Sequence, residues 1–466
     1  MKTKSFALIL FLLLFALPAV QGTAEGDPGD PLRGTAWLDA GETLYIFEND
    51  GQATVVGRDA DGTVKERAMG YRTSGSGVLL HDPSDGTVLP GALLEEGLLL
   101  EGALLRRISP AEAFTLGRAL AAGAPVPQTG AYVFVDGYVE EAVREQLGKS
   151  TGEITAEELA GITELAVAHA ELTRLDDLIM MPNLIKLDLS YNRLTDIGVL
   201  ASLPALESLR LDENSITDIR PLAELTRLRE LNLGDNELSN MDALAGLILL
   251  EGLGLRNNAL RNTDALANLT NLVYIDLDNN GMENIDGLAN LTSLEYLSLG
   301  AMIGNDISDI DALAGLTNLR VLVLSNNRIE DISALKNLTN LEALHLDGNR
   351  IKDVSALVPL TKLKRLAISG ASTPDIGFVS NKGDLEYFVA IGCGISDISA
   401  LGDHPKLDRL ILSGNEITDV SPLSDLPLLM HLYLRDNQIT DTSPLLPLAE
   451  RGCEIKLEGN PKTVVE

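Results

Sequence analysis

Side chains able to do covalent or metal chemistry are few in this chain. There are two cysteines, Cys393 and Cys453, and five histidines, His81, His169, His345, His404 and His431. Cys393 lies in FVAIGCGISDISAL, residues 388 to 401, between two glycines. A thiol on a tight glycine turn could be a nucleophile, which needs a neighbouring base or cation to form the thiolate. It could also be half of a disulfide, or a small buried side chain. Carboxylates are abundant and recur in one slot: Asp196, Asp218, Asp309, Asp331, Asp353, Asp375, Asp397, Asp419 and Asp441, with Asn240, Asn262 and Asn284 in the same place elsewhere. Such a row could hold calcium or could cap turns by accepting backbone N–H bonds. Capping is the better reading, because no compact set of several oxygen ligands is evident. The motif H-E-x-x-H and a glycine-rich phosphate loop are absent, and carboxylate pairs are too common to single out any two. No catalytic residue, cofactor or metal ion is therefore assigned, and no enzymatic activity is expected.

The slots exist because the sequence repeats. LIKLDLSYNRLTDIGVLASLPA from Leu184 is followed by LESLRLDENSITDIRPLAELTR from Leu206 and LRELNLGDNELSNMDALAGLIL from Leu228. Each carries L-x-x-L-x-L-x-x-N-x-[LI], then apolar residues at three-residue steps. The asparagine recurs at Asn192, Asn214, Asn236, Asn258 and Asn280, jumps by 25 to Asn305, and resumes at Asn327, Asn349, Asn415 and Asn437. The frame reaches back to Ile162 and ends in a half unit, CEIKLEGNP.

The pattern predicts its own fold. L-x-L alternation turns Leu187 and Leu189 inward on a short strand and Asp188 outward. Apolar residues at three-residue steps suit a 3₁₀ turn. One unit cannot bury its leucines alone, so units stack into a parallel sheet over one long core. The asparagine belongs inside the bend, bonded to backbone groups that would otherwise be buried unpaired. In this frame Cys393 takes the asparagine slot, 22 residues before Asn415. Cys453 starts the last strand, three repeats or roughly 14 Å away, too far for a disulfide. His345 and His431 both face outward, but four repeats separate them by roughly 19 Å, so they share no metal ion.

This frame is identified as that of the leucine-rich repeats, its 22-residue unit resembles the bacterial internalin type, and with its lead-in the resemblance covers residues 131 to 466. The resemblance implies an α/β solenoid, a right-handed superhelix with parallel strands on its concave face and 3₁₀ turns on its convex face. The lead-in YVEEAVREQLGKSTGEITAEELAGIT resembles the helical cap that precedes such arrays. Val139, Ala142, Val143 and Leu147 form one apolar helix face, Gly148 stops the helix, and Thr155 with Glu158 makes a capping box. The cap is expected over 131–161, and about thirteen repeats plus the half unit over 162–466. Internalins bind host surface proteins, and the resemblance implies a protein partner. Their cell-wall sorting tail has no counterpart in EGNPKTVVE, so host-cell invasion is not implied.

Upstream, residues 1–22 combine Lys2 and Lys4 with an apolar run from Phe6 to Val20, the layout of a signal peptide. A linker over 23–32 leads to residues 33–108, whose short apolar runs and turns at Asn49-Asp50-Gly51 and Asp85-Gly86 predict a small antiparallel β domain, a meander of six to eight strands. It loosely resembles small lipocalin-like modules. A short helix and a stiff GAPVPQTG linker fill 109–130. The expectation is a secreted or periplasmic protein, with no integral membrane segment once the signal is cleaved, and a monomer. The sequons at Asn268, Asn290 and Asn337 repeat the NLT of the unit and are read as repeat grammar, not glycan sites.

A net charge of −32 argues against nucleic acid and anionic lipid as partners. Function is expected on the outward positions of the concave strands. Those of the early repeats are polar. Tyr274 and Tyr296 then enter, followed by Val321, Val323, Arg365, Tyr387, Val389, Ile391, Arg409, Ile411, Tyr433 and Arg435. Contiguous apolar side chains with tyrosine and arginine form the core of an interface, whereas β-branched residues also simply favour strands. An assembly scaffold, or a small-ligand or hydrolytic role in the β domain, are the alternative functions. The inserted GAMIGND, residues 300 to 306, changes curvature or offers a contact loop.

Overall fold

The computed structural model describes eight strands between Thr35 and Arg107, and then residues 132, 134–300 and 305–461. The expected signal, first linker, second linker with its short helix, and the centre of the 300–306 insertion lie outside the described residues. Two compact units result, one holding the early strands and the other the repeats.

In the first unit the eight strands pair antiparallel in sequence order, and Thr35–Leu38 also pairs with Ala103–Arg107, closing a barrel. Closure leaves no strand edge unpaired, which a small sheet otherwise exposes to aggregation.

The second unit is an array of fourteen parallel strands in strict sequence order, from Glu164–Ala166 to Glu454–Lys456. It has the expected leucine-rich-repeat architecture. Each strand is three residues long, and in all but the last its central residue is buried: Leu187, Leu209, Leu231 and Leu253 pair in register across neighbouring strands. Between strands the chain returns through 3₁₀ segments, from Asp176–Met180 to Ser443–Leu445. Their leucines, such as Leu200, Leu222 and Leu244, are fully buried. Each buried leucine contributes about 1.5–3 kcal/mol relative to exposure, and neighbouring repeats share the surface they bury.

Local chemistry holds each bend. Asn192 accepts from the N–H groups of Ala170 and Leu172, both at 3.0 Å, and donates to the carbonyls of Val167 at 2.6 Å and Leu189 at 3.0 Å. The same pattern recurs at Asn280, Asn349 and Asn437. The residue before the asparagine adopts a left-handed backbone in repeat after repeat, as at Tyr191, Glu213, Asn279 and Asp436. Gly392, with φ 65°, fills that place before Cys393, so the glycine next to the thiol serves the bend, not a nucleophile. The aspartate row caps the return turns as expected. Asp196, Asp331, Asp397 and Asp441 each accept from the N–H two residues on, at 2.7 to 2.9 Å.

The array's N-terminal end is covered by helix Gly137–Leu147, which packs against strand Glu164–Ala166. Asp136 caps it by accepting from the N–H groups of Tyr138 and Val139, and Gly148 ends it in the left-handed conformation. Val139 and Val143 are buried while Ala142 and Leu147 are half-buried. Thr155 and Glu158 exchange the two bonds of a capping box, at 2.9 and 3.2 Å.

Candidate protein-interaction surface

Because side chains alternate along a strand, two positions per strand face away from the core, and a third lies two residues beyond. Parallel register stacks these positions into columns at one strand spacing. Lys186, Ser208, Glu230, Gly252, Tyr274, Tyr296, Val321, Ala343, Arg365, Tyr387, Arg409 and His431 form one column. The second runs through Asp276, Ser298, Val323, His345, Ala367, Val389, Ile411 and Tyr433.

Every residue expected on this face lies in these columns or, for Ile391 and Arg435, in the third position. Tyr274 is 41 % and Ile391 42 % exposed, and Arg365 and Arg435 are exposed. Tyr296, Val321, Val323, Tyr387, Arg409, Ile411 and Tyr433 are half-buried. Val389 differs: it points outward but is only 7 % exposed. It sits one register step from Ala367 and Ile411, and branched side chains at about 4.8 Å spacing cover one another. Val389 supports the patch and is not available to a partner.

Aromatic contacts order the face. Tyr274 and Tyr296 stack with ring centres 4.5 Å apart and planes 15° from parallel. The Arg365 guanidinium carbon lies 4.9 Å from the centre of the Tyr387 ring, a cation–π contact of about 0.5–1 kcal/mol at an exposed site. Burial pushes the Tyr274 hydroxyl up to about 12, with the Asp276 carboxylate adding to the effect. Burial also raises the Asp276 carboxyl.

The last strand restrains the end of the patch. Glu454 binds Lys456 at 3.0 Å, accepts from Tyr433 Oη at 2.8 Å and lies 3.2 Å from His431 Nδ1. Those contacts, Lys456 first, hold its carboxyl down to about 2. Arg435 donates to Glu458 at 2.9 Å. Tyr433 and Arg435 are thus tied to carboxylates, whereas Arg409 has no ion pair among the described residues. The early strands are likewise self-paired, Lys186 to Glu164 at 3.0 Å and Arg256 to Asp235 at 2.9 Å.

Cys393 and Cys453 are free thiols, both buried. Cys393 Sγ donates to Ile368 O at 3.4 Å, and burial raises its ionisation above the ordinary thiol value. A neutral, buried thiol is a packing residue. Sequence reasoning missed the bare strand Gly252–Gly254, where both outward positions are glycine. The two glycines in an L-x-L slot were the available signal.

A parallel sheet with an asparagine ladder and an aromatic outward face defines the class: a leucine-rich-repeat solenoid. The family described as leucine-rich repeat region matches residues 213–445, and the two-copy leucine-rich repeat family matches 182–224. The chain is 34 % identical to an internalin (inlF) from Listeria monocytogenes, covering 70 % of this chain and 95 % of that one with a TM-score of 0.66. It belongs to the bacterial internalin-like leucine-rich-repeat proteins. Two further structures share the fold. A Leptospira interrogans leucine-rich-repeat protein is 23 % identical, with 66 % of this chain and 86 % of that one covered and a TM-score of 0.57. The functional domain of InlJ from Listeria monocytogenes, which includes a cysteine ladder, is 24 % identical over 69 % of this chain and 79 % of its own, with a TM-score of 0.56. No curated protein matches.

Proposed function

We propose that this is an exported, non-enzymatic protein that binds a protein partner on the concave sheet. The observation that carries this reading is that the outward columns from Tyr274 to Ile411 gather aromatic and aliphatic side chains with Arg365 and Arg409, interrupted only by Asp276, Ser298 and His345. Elsewhere on the array large exposed apolar residues are scattered, as at Ile248, Val358 and Leu428. Buried aromatic and aliphatic anchors with a polar rim are the arrangement that concentrates binding energy. Membership of the internalin-like class supports a protein partner, and no helix among the described residues is long and apolar enough to cross a membrane.

Affinity capture from host-cell surface extracts tests the reading. Ile391→Ser with Ile411→Ser keeps Val389 in place and so keeps the fold, which circular dichroism checks. The double variant is expected to lose the captured partner by tenfold or more (about 1.4 kcal/mol). Undiminished capture by the folded variant would refute it.

A further inference from the structure

The stacked pair on the early strands stops one rung short. Tyr296 covers one face of Tyr274, and the other face looks toward the next strand down, Gly252–Gly254. Gly252 is the register partner of Tyr274 and carries no side chain. The following rung is Glu230, register partner of Gly252. The column therefore reads carboxylate, gap, tyrosine, tyrosine, with about 4.8 Å between rungs. A planar group in the gap would lie against Tyr274 and beside Glu230.

The same column shows what fills such a rung elsewhere. Arg365 is the register partner of Tyr387 and lays its guanidinium over that ring at 4.9 Å. Around the gap carboxylates stand without direct ion pairs: Lys186 is bonded to Glu164 and Arg256 to Asp235, and each reaches Glu230 or Asp276 only through space. Glu230 takes a hydrogen bond from Ser208 Oγ at 3.2 Å, and Asp276 one from the Asp278 N–H at 3.0 Å. Neither has a lysine or arginine ion-pair partner among the described residues. Arg256, the nearest cation in sequence, is turned onto Asp235. Asn232 leans over Gly254, its Oδ1 2.5 Å from where a Cβ there would be, while at Gly252 the nearest atom is Glu230 Cγ at 3.9 Å. The open position is Gly252.

We infer that an arginine of the protein partner occupies the rung over Gly252, its guanidinium stacked on Tyr274 and paired with Glu230. This rests on the concave face being the binding surface, and it specifies the partner as a segment that presents an exposed arginine. Arginine suits the site better than lysine, because a planar, weakly hydrated fork can stack and pair at once.

The test uses the full chain with ¹³C-labelled tyrosine rings, and the Tyr274 and Tyr296 signals are assigned by Tyr→Phe variants. The probe is acetyl-Gly-Arg-Gly-amide at millimolar concentration, with controls carrying citrulline in place of arginine and with methyl glucoside. Tyr274 is expected to shift with the arginine peptide and with neither control. Glu230→Gln should weaken that response about three- to fivefold. Gly252→Arg, whose Cβ would meet only Glu230 Cγ at an ordinary contact distance of 3.9 Å, should remove it and displace the Tyr274 signal without peptide. An unmoved Tyr274, or equal shifts with citrulline or sugar, would overturn the inference. No partner is needed for this measurement. A negative result therefore leaves the capture experiment at Ile391 and Ile411 to decide separately whether the face binds protein.

Discussion

Lys382 stands in the return-turn slot that holds Leu360 one repeat earlier, and His404 takes that slot in the repeat after it. The lysine is completely buried and donates to Phe378 O at 2.8 Å and Asn381 Oδ1 at 3.0 Å, with its ammonium 5.5 Å from the Phe378 ring centre. No carboxylate offsets the charge in these contacts, and burial lowers its ionisation to about 8. The folded state therefore releases this proton before the unfolded state, whose value is near 10.5. Below pH 8 both states are charged and the full cost of burial is present. Between about pH 8 and 10.5 only the folded lysine is neutral, so stability rises with pH across that window. Lys382→Leu should stabilise the array by about 1–2 kcal/mol at pH 7. The gain should shrink by pH 10, as measured by urea unfolding of both proteins at each pH. A pH-independent difference would contradict the assignment. At the same scale, Ellman's reagent should label neither Cys393 nor Cys453 until denaturant is added, since both are buried. The slots of Cys393 and the aspartates were legible because each obeys a local rule. Val389 was not: its burial depends on Ala367 and Ile411, each 22 residues away and unseen in any local window.

At the level of the repeat, the asparagine bend is the joint most exposed to single substitutions. Asn280 is 3 % exposed and serves Leu260 N–H, Leu255 O and Leu277 O. Asn280→Ala strands these groups in the core and should cost about 1–3 kcal/mol in urea unfolding. Cys393 bonds Ile368 O through its S–H, and its sulfur, a weak acceptor, faces the backbone N–H groups of Gly370 and Ala371. Thr373 Oγ1, in the repeat before this bend, is buried without a partner. Cys393→Asn should replace a weak sulfur acceptor with an amide oxygen and stabilise by about 0.5–1.5 kcal/mol; a loss of stability would show that the bend has adapted to sulfur. The turn carboxylates carry a pH signature of the opposite kind. Backbone N–H and hydroxyl donors at Ser333, Ser399, Ser421 and Ser443 hold Asp331, Asp397, Asp419 and Asp441 below the usual carboxylate range. Their contribution is present above an unfolded value near 4 and is lost as pH falls through the lower folded values. The repeat frame predicted these joints because they recur at fixed offsets. The bare strand Gly252–Gly254 and the carboxylates restraining Tyr433 and Arg435 escaped it, because they depart from the repeat.

Across the whole molecule, the repeats make stability a nearest-neighbour property and leave one continuous sheet face for recognition. The sheet and its buried leucines follow from the sequence alone, whereas the usable part of the face required the cross-strand neighbours. With Val389 covered and Tyr433 and Arg435 engaged, the available surface is Tyr274, Tyr296, Val321, Val323, Arg365, Tyr387, Ile391, Arg409 and Ile411. Its two ends differ in charge, with Glu230 and Asp276 at one and Arg365 and Arg409 at the other, so a partner of matching polarity is favoured and its on-rate should fall with salt. Hydroxyl-radical footprinting of the captured complex tests the central claim most directly, because it reads side-chain accessibility on both faces in one measurement. Protection should concentrate on Tyr274, Tyr387, Ile391 and Ile411, with Ile248, Val358 and Leu428 unchanged. Protection confined to those last three residues, with the sheet face still reactive, would contradict it.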